Sequence, residues 1–104
     1  MTVAVLPVSV RPLLGGRLPE WLDARWWDTP EALVALAAEA EIGWFDRHEK
    51  AAPLAAIAAA RRLRWLNSSY TGVDWMPLAE LDQRGVALTC GSGLTTHQVA
   101  EFAV

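Results

Sequence analysis

Arg64-Trp65-Leu66-Asn67-Ser68-Ser69-Tyr70-Thr71-Gly72-Val73-Asp74 is the stretch whose reading decides the fold. Its first five residues, with Trp65 and Leu66 at their centre, read as a short strand. Small polar side chains and a Thr-Gly pair then fall where that strand should end, and in an α/β sheet ligands sit at the carboxyl ends of the strands. Glycine permits a sharp turn and a close approach, so Thr71 and Gly72 can turn two backbone N–H groups toward an anion.

Outward from this stretch, strands and helices alternate. Upstream, Pro53 opens a helix in which Leu54, Ile57 and Ala58 share a face and the alanines favour helix. Arg61, Arg62 and Arg64 are expected to close its last turn, where positive charge suits the helix dipole. Downstream, a short helix over about residues 77–84 ends at Gly85 as its C′ residue, and residues 86–90 form the next strand. Gly91-Ser92-Gly93 turns the chain into a helix capped by Thr95 or Thr96 and carrying Val99, Ala100, Phe102, Ala103 and Val104. That helix shows no glycine, proline or basic last turn as a stop signal, so the expectation is a chain cut at Val104 or continuing beyond it.

Nearer the start, residues 3–8 are continuously apolar and β-branched, the pattern of a strand buried on both faces of a parallel sheet. Thr29-Pro30-Glu31 is a helix start, with a hydroxyl at N-cap, proline at N1 and an acid in the first turn. Leu33, Leu36, Ala37 and Ala40 then make one apolar face. Residues 41–46, with Ile42, Trp44 and Phe45, suit a second strand followed by the polar loop Asp46-Arg47-His48-Glu49-Lys50. Residues 9–27, broken by Pro12, Gly15-Gly16 and Pro19, are expected to be a loop followed by an irregular short helix. Trp21, Trp26 and Trp27 there cap the end of a small core or form a partner-binding patch. Four strands alternating with helices imply right-handed βαβ units and a parallel sheet covered by helices.

Composition bounds the function. With 104 residues, 53% hydrophobic, the chain is one compact domain or part of one. A net charge of -3 and a pI near 5.2 leave no basic face for nucleic acid. Cys90 is the single cysteine, which excludes an internal disulfide and a Cys-rich zinc site and fits a reducing, cytoplasmic setting. No apolar run approaches the ~20 residues of a membrane span, and residues 1–10 lack a basic n-region and are broken by Pro7. The expectation is a soluble, untargeted protein.

Few residues offer chemistry of their own. Gly91-Ser92-Gly93-Leu94-Thr95-Thr96 follows a strand and opens a helix, but Thr96 stands where a dinucleotide fingerprint has its third glycine, and no acid follows about 20 residues later. It reads as a tight packing turn, so no cofactor-binding residue is assigned. His48 and His97 lack the spacing of a metal pair. Cys90 reads as a buried structural thiol. Asp46 occupies the place of a phosphoryl-accepting aspartate, yet Pro7-Val8-Ser9 supplies no partner acid.

Three blocks in order carry a resemblance: Leu63 through Asp74, then Leu81 with Arg84-Gly85-Val86-Ala87-Leu88-Thr89, then Val99-Ala100-Glu101-Phe102-Ala103-Val104. They resemble the N-terminal substrate domain of NAD(P)-dependent D-isomer-specific 2-hydroxyacid dehydrogenases, a family that includes phosphoglycerate dehydrogenases and glyoxylate/hydroxypyruvate reductases. The resemblance covers roughly residues 53–104; the first half agrees in its order of elements. It implies an α/β, flavodoxin-like three-layer domain with a mostly parallel sheet, incomplete here. Residues 1–93 would be the N-terminal part of the substrate-binding domain, and residues 94–104 the start of a hinge helix leading to an NAD-binding domain.

By the same resemblance, the backbone amides of Thr71 and Gly72 hold the carboxylate of a small 2-oxo or 2-hydroxy acid. Tyr70 stands beside them, and Leu94 and Thr95 face the substrate cleft. The family often has asparagine or serine where Thr95 stands. Trp44 and Phe45 wall the pocket or pack the core. The family's catalytic arginine, acid–histidine pair and glycine-rich NAD fingerprint have no counterpart before Val104, and His97 is not the catalytic histidine. The parent protein is thus expected to use NAD or NADP, while this chain binds no cofactor or metal and transfers no hydride. The alternative is a stand-alone α/β interaction module that meets a partner, or a second copy as a homodimer, through its tryptophans and last helix.

Overall fold

The apolar run near the amino terminus forms the strand around which the sheet reverses direction. In the computed structural model, which describes residues 1–69 and 75–90, this strand is β1 (Thr2–Pro7), and Ala4, Val5 and Leu6 are buried. A 3-10 turn (Val8–Val10) leads into the four-residue α1 (Arg11–Leu14), with Pro12 in the first turn, where its missing N–H costs nothing. Then follow β2 (Leu22–Trp27), α2 (Pro30–Ala37), β3 (Ile42–Trp44), α3 (Ala51–Ala59), β4 (Trp65–Ser68), α4 (Leu78–Gln83) and β5 (Ala87–Cys90). The described strands make one sheet in the order β2-β1-β3-β4-β5, and every adjacent pair is parallel. This is the flavodoxin-like doubly wound order.

Residues 22–27 are therefore an edge strand, not the irregular helix expected, and the sheet has five described strands where the sequence suggested four. The physical reason is local. Leu22-Asp23-Ala24-Arg25 alternates apolar and polar, which is the strand period, and β1 pairs with it in unbroken register from Thr2 opposite Leu22 to Pro7 opposite Trp27. On the outer edge, Arg25 bonds to Asp23 at 3.0 Å and also to Glu39, so its charge meets partners at the surface.

Right-handed crossovers send helices to opposite faces when the direction of travel across the sheet reverses. The step from β1 to β2 runs one way and all later steps run the other. Accordingly α2, α3 and α4 share one face. There Val5, Gly43, Leu66 and Leu88 lie in register and meet Leu33, Ala37, Ala56, Ile57 and Leu81 in a single core cluster. Phe45 joins this cluster. A Cβ on Gly43 would sit 2.6 Å from Cζ of the Phe45 ring, so only glycine lets the ring lie across the strand. The other face carries Ala4, Ile42, Trp65 and Ala87 in register. The small α1, none of whose residues is buried, and the loop after it meet that face.

Helix termini show which local signals act. Thr29 caps α2 as expected, its hydroxyl accepting from the Ala32 N–H at 3.1 Å. Gly85 follows α4 at φ +71, the left-handed conformation expected of a C′ residue. The end of α3 differs. The helix stops at Ala59, with Arg61, Arg62 and Arg64 beyond its last turn. Its terminal carbonyls are instead met by Arg84 from the end of α4, which donates to Ile57 O at 3.0 Å and to Ala60 O. At the start of α3 the Glu49 carboxylate accepts from the Ala52 N–H at 2.9 Å, which sets the first turn before Pro53. No described helix is long and apolar enough to cross a membrane.

Candidate functional site

Between β1 and β3 the strand order reverses, and at that switch point the chain segments leaving the two strands diverge and open a crevice at their carboxyl ends. A cleft of about 370 Å³ lies there. β1 contributes Pro7 and the following Val8, Ser9 and Val10; β2 contributes Trp27 and the following Asp28. The wall from β3 is Trp44 and Asp46, and Ser69 enters from the end of β4.

Asp46 organises this end of the sheet. Its Oδ2 accepts from the Ser69 N–H at 2.6 Å, the Ser69 hydroxyl at 2.7 Å and the Trp44 indole at 2.9 Å, while Oδ1 accepts from the Ser68 hydroxyl at 2.8 Å. One carboxylate thus ties β3 to the exit of β4 through charge-assisted hydrogen bonds. Trp27 adds a second tie, its indole donating to Trp44 O at 2.9 Å from a buried position. With so many donors on its oxygens, Asp46 serves as an acceptor that fixes backbone, which is a different task from receiving a phosphoryl group.

The sequence-derived site residues Tyr70, Thr71, Gly72, Leu94 and Thr95 lie outside the described residues, as does His97. The structure brings Ser69, the residue immediately before Tyr70, into the cleft and fixes its amide. Trp44 faces the cleft, whereas Phe45 is fully buried in the core, so the pair splits between the two roles considered for it. His48 is exposed, as expected of the charged loop. Trp27 and Asp28 were missed in the sequence because β2 was not recognised, its apolar–polar alternation being the available signal, and Ser9 and Val10 because the segment after β1 was weighed only for a partner acid.

Among the described residues, two charged groups outside the cleft depart from their ordinary pKa. Glu49 is held below its usual 4.5 first by the Ala52 N–H, against some desolvation, with the Ala51 N–H and Arg47 adding to the lowering. Arg25 is pushed up by its hydrogen bonds to Asp23 and Glu39. Neither reaches the cleft.

A second hollow, about 350 Å³, lies on the face opposite α2–α4. Leu14, Leu18, Pro19 and Trp21 rim it on one side, and Ile42, Trp44 and Trp65 on the other. At its edge the Trp65 indole donates to the Thr89 hydroxyl at 2.9 Å, which donates in turn to Asn67 Oδ1 at 2.7 Å. That short chain joins β4 to β5.

The fold and cleft together define a doubly wound α/β domain with a crevice at its switch point, the place where ligands bind in such sheets. No family model matches the sequence, and no curated protein matches it. Among solved structures, the chain is similar to the NAD+-bound 3-phosphoglycerate dehydrogenase of Entamoeba histolytica, with a TM-score of 0.52 at 12% identity. The match covers 86% of this chain and 33% of that one, so the chain spans about a third of the enzyme's length. At that identity the likeness is one of fold, and it agrees with an incomplete flavodoxin-like α/β domain.

Proposed function

We propose that this chain is the N-terminal substrate-binding portion of an NAD(P)-dependent D-2-hydroxyacid dehydrogenase. In this reading, the cleft at the switch point receives a small 2-oxo or 2-hydroxy acid, whose carboxylate is held by the backbone amides of Thr71 and Gly72. Tyr70 stands beside that cradle, and Leu94 and Thr95 face the cleft. Residues 94–104 begin a hinge helix to an NAD-binding domain, and the protein works in the cytoplasm. The observation that carries the reading is the position of Ser69. Asp46 pins its amide at the mouth of the cleft, and Tyr70-Thr71-Gly72 follows directly.

The reaction is 2-oxo acid plus NAD(P)H plus a proton giving the D-2-hydroxy acid plus NAD(P)+. When bound to the second domain, the nicotinamide supplies the hydride. This chain's part is to orient the acid: the amide pair fixes the carboxylate, Trp27 and Trp44 exclude water from one wall, and Asp46 keeps the stem of the loop in place. The hydride donor and proton relay come from the other domain, so the chain alone is inactive. The test is the reading frame beyond Val104, which should encode a strand, a glycine-rich turn and a helix. A reading frame that continues for a domain's length without that fingerprint contradicts the proposal.

A second reading has one observation in its favour. Trp21 and Trp65 are 59% and 39% exposed beside the apolar hollow, which suits a stand-alone module that associates through this face. Sedimentation separates the two: association lost on Trp65→Ser with the cleft intact supports the module, and a monomer at all concentrations removes its homodimer form.

A further inference from the structure

We infer that the cleft selects acids whose remainder, beyond the reacting carbons, is uncharged, and that it disfavours phosphorylated and dicarboxylic substrates. This rests on the reading of the cleft as a 2-oxo or 2-hydroxy acid site and specifies the substrate class. The described lining holds two carboxylates, Asp28 and Asp46, and no lysine, arginine or histidine. Asp46 is committed to donors within the protein, but Asp28 is exposed and has no hydrogen-bond or ionic partner among the described residues. Apolar surface from Pro7, Val8, Val10 and the two tryptophans makes up much of the rest.

A phosphate dianion needs cationic partners to repay its desolvation, most effectively arginine in a bidentate bond. The cations near this end of the sheet are engaged elsewhere. Arg11 stacks over the Trp26 ring at 5.6 Å, and Arg47 pairs with Glu49 at 3.4 Å. Lys50 donates to Arg47 O at 2.7 Å and lies 4.7 Å from the Trp75 ring centroid. Residues 70–74 and 91–104 contain no lysine or arginine at any position. Within the described lining, a second negative group therefore meets Asp28 without a compensating cation. A hydroxymethyl or small apolar group meets tryptophan, proline and serine.

The experiment uses the isotopically labelled chain and a matched pair of ligands, D-glycerate and 3-phospho-D-glycerate, at constant ionic strength. The indole signals of Trp27 and Trp44 and the amide of Ser69 report on the cleft. D-Glycerate should shift these signals with an apparent affinity at least about tenfold greater than its phosphorylated counterpart. In Asp28→Lys, an exposed change that leaves the core intact, the preference should shrink or reverse. Equal or tighter binding of 3-phosphoglycerate to the unchanged chain overturns the selectivity while leaving the carboxylate site standing. An unchanged preference in Asp28→Lys overturns the part assigned to Asp28. Failure of both ligands to move any of the three signals removes the carboxylate site itself, and the selectivity with it.

Discussion

Trp65 and Leu66 are neighbours in β4 that point to opposite faces of one sheet, and their surroundings differ sharply. Leu66 is 0% exposed within the core cluster, in register with Gly43 and Leu88, whereas Trp65 stays 39% exposed beside a hollow. The difference follows from topology: among the described residues, three helices return over one face, while the four-residue α1 and the loop after it meet the other. Among the described residues the core cluster lies on the first face, and on the second the Trp65–Thr89–Asn67 chain joins β4 to β5. The candidate cleft lies at neither face but at the end of the sheet, where both meet.

The largest effect should come from the packed face. Leu66→Ala is expected to cost about 2–5 kcal/mol in urea unfolding, through lost burial and the cavity left behind. Trp65→Ala next to it should cost about 1–2 kcal/mol, because much of its ring already meets water. Equal losses would erase the contrast between the faces. Gly43→Ala should act on the packed face from the opposite direction, costing about 1–3 kcal/mol by forcing the Phe45 ring aside.

Asp46→Ala probes the end of the sheet. It leaves the Ser69 amide, two serine hydroxyls and the Trp44 indole without their acceptor, and should cost about 1–3 kcal/mol. Faster hydrogen exchange at Ser69 than at Leu66 would locate the loss at the cleft, and uniform acceleration would assign Asp46 to the core. The smallest effect is the pH dependence at Glu49. Its folded pKa lies below 4.5, so its contribution to stability is complete above that value and is lost as pH falls through the folded pKa. Glu49→Gln should flatten the unfolding midpoint between neutral and acid pH slightly, and an unaltered acid limb would show the Ala52 contact to be inconsequential.

Legibility in the sequence followed the range of the interaction that fixed each feature. The start of α2 was readable because Thr29, Pro30 and Glu31 act within one turn, and Gly85 because a left-handed residue after a helix is a local requirement. β1 was readable from its unbroken apolar run. The edge strand β2 was obscured because Trp27 breaks an otherwise regular alternation, and prolines and glycines crowd the segment before it. The end of α3 was misjudged because Arg84, 24 residues away from Ala60, supplies the cap that Arg61 and Arg62 were expected to provide. An anion site at Thr71-Gly72 could be proposed from those residues, yet Asp46, which fixes the Ser69 amide, lies 23 positions from Ser69, a distance no local pattern spans.

In the function proposed above, the cleft beside Ser69 orients a 2-oxo acid for reduction. Its most direct measurement is oxidation of NADH or NADPH by the protein from the full reading frame that carries this chain, with hydroxypyruvate or glyoxylate as acceptor, comparing the unchanged enzyme with Asp46→Ala. The account predicts acceptor-dependent oxidation in the unchanged enzyme and, in the variant, a rise in KM larger than the fall in kcat, because the carboxylate cradle is loosened while the hydride donor is untouched. No oxidation with either acceptor and either cofactor, from a folded protein, would contradict it.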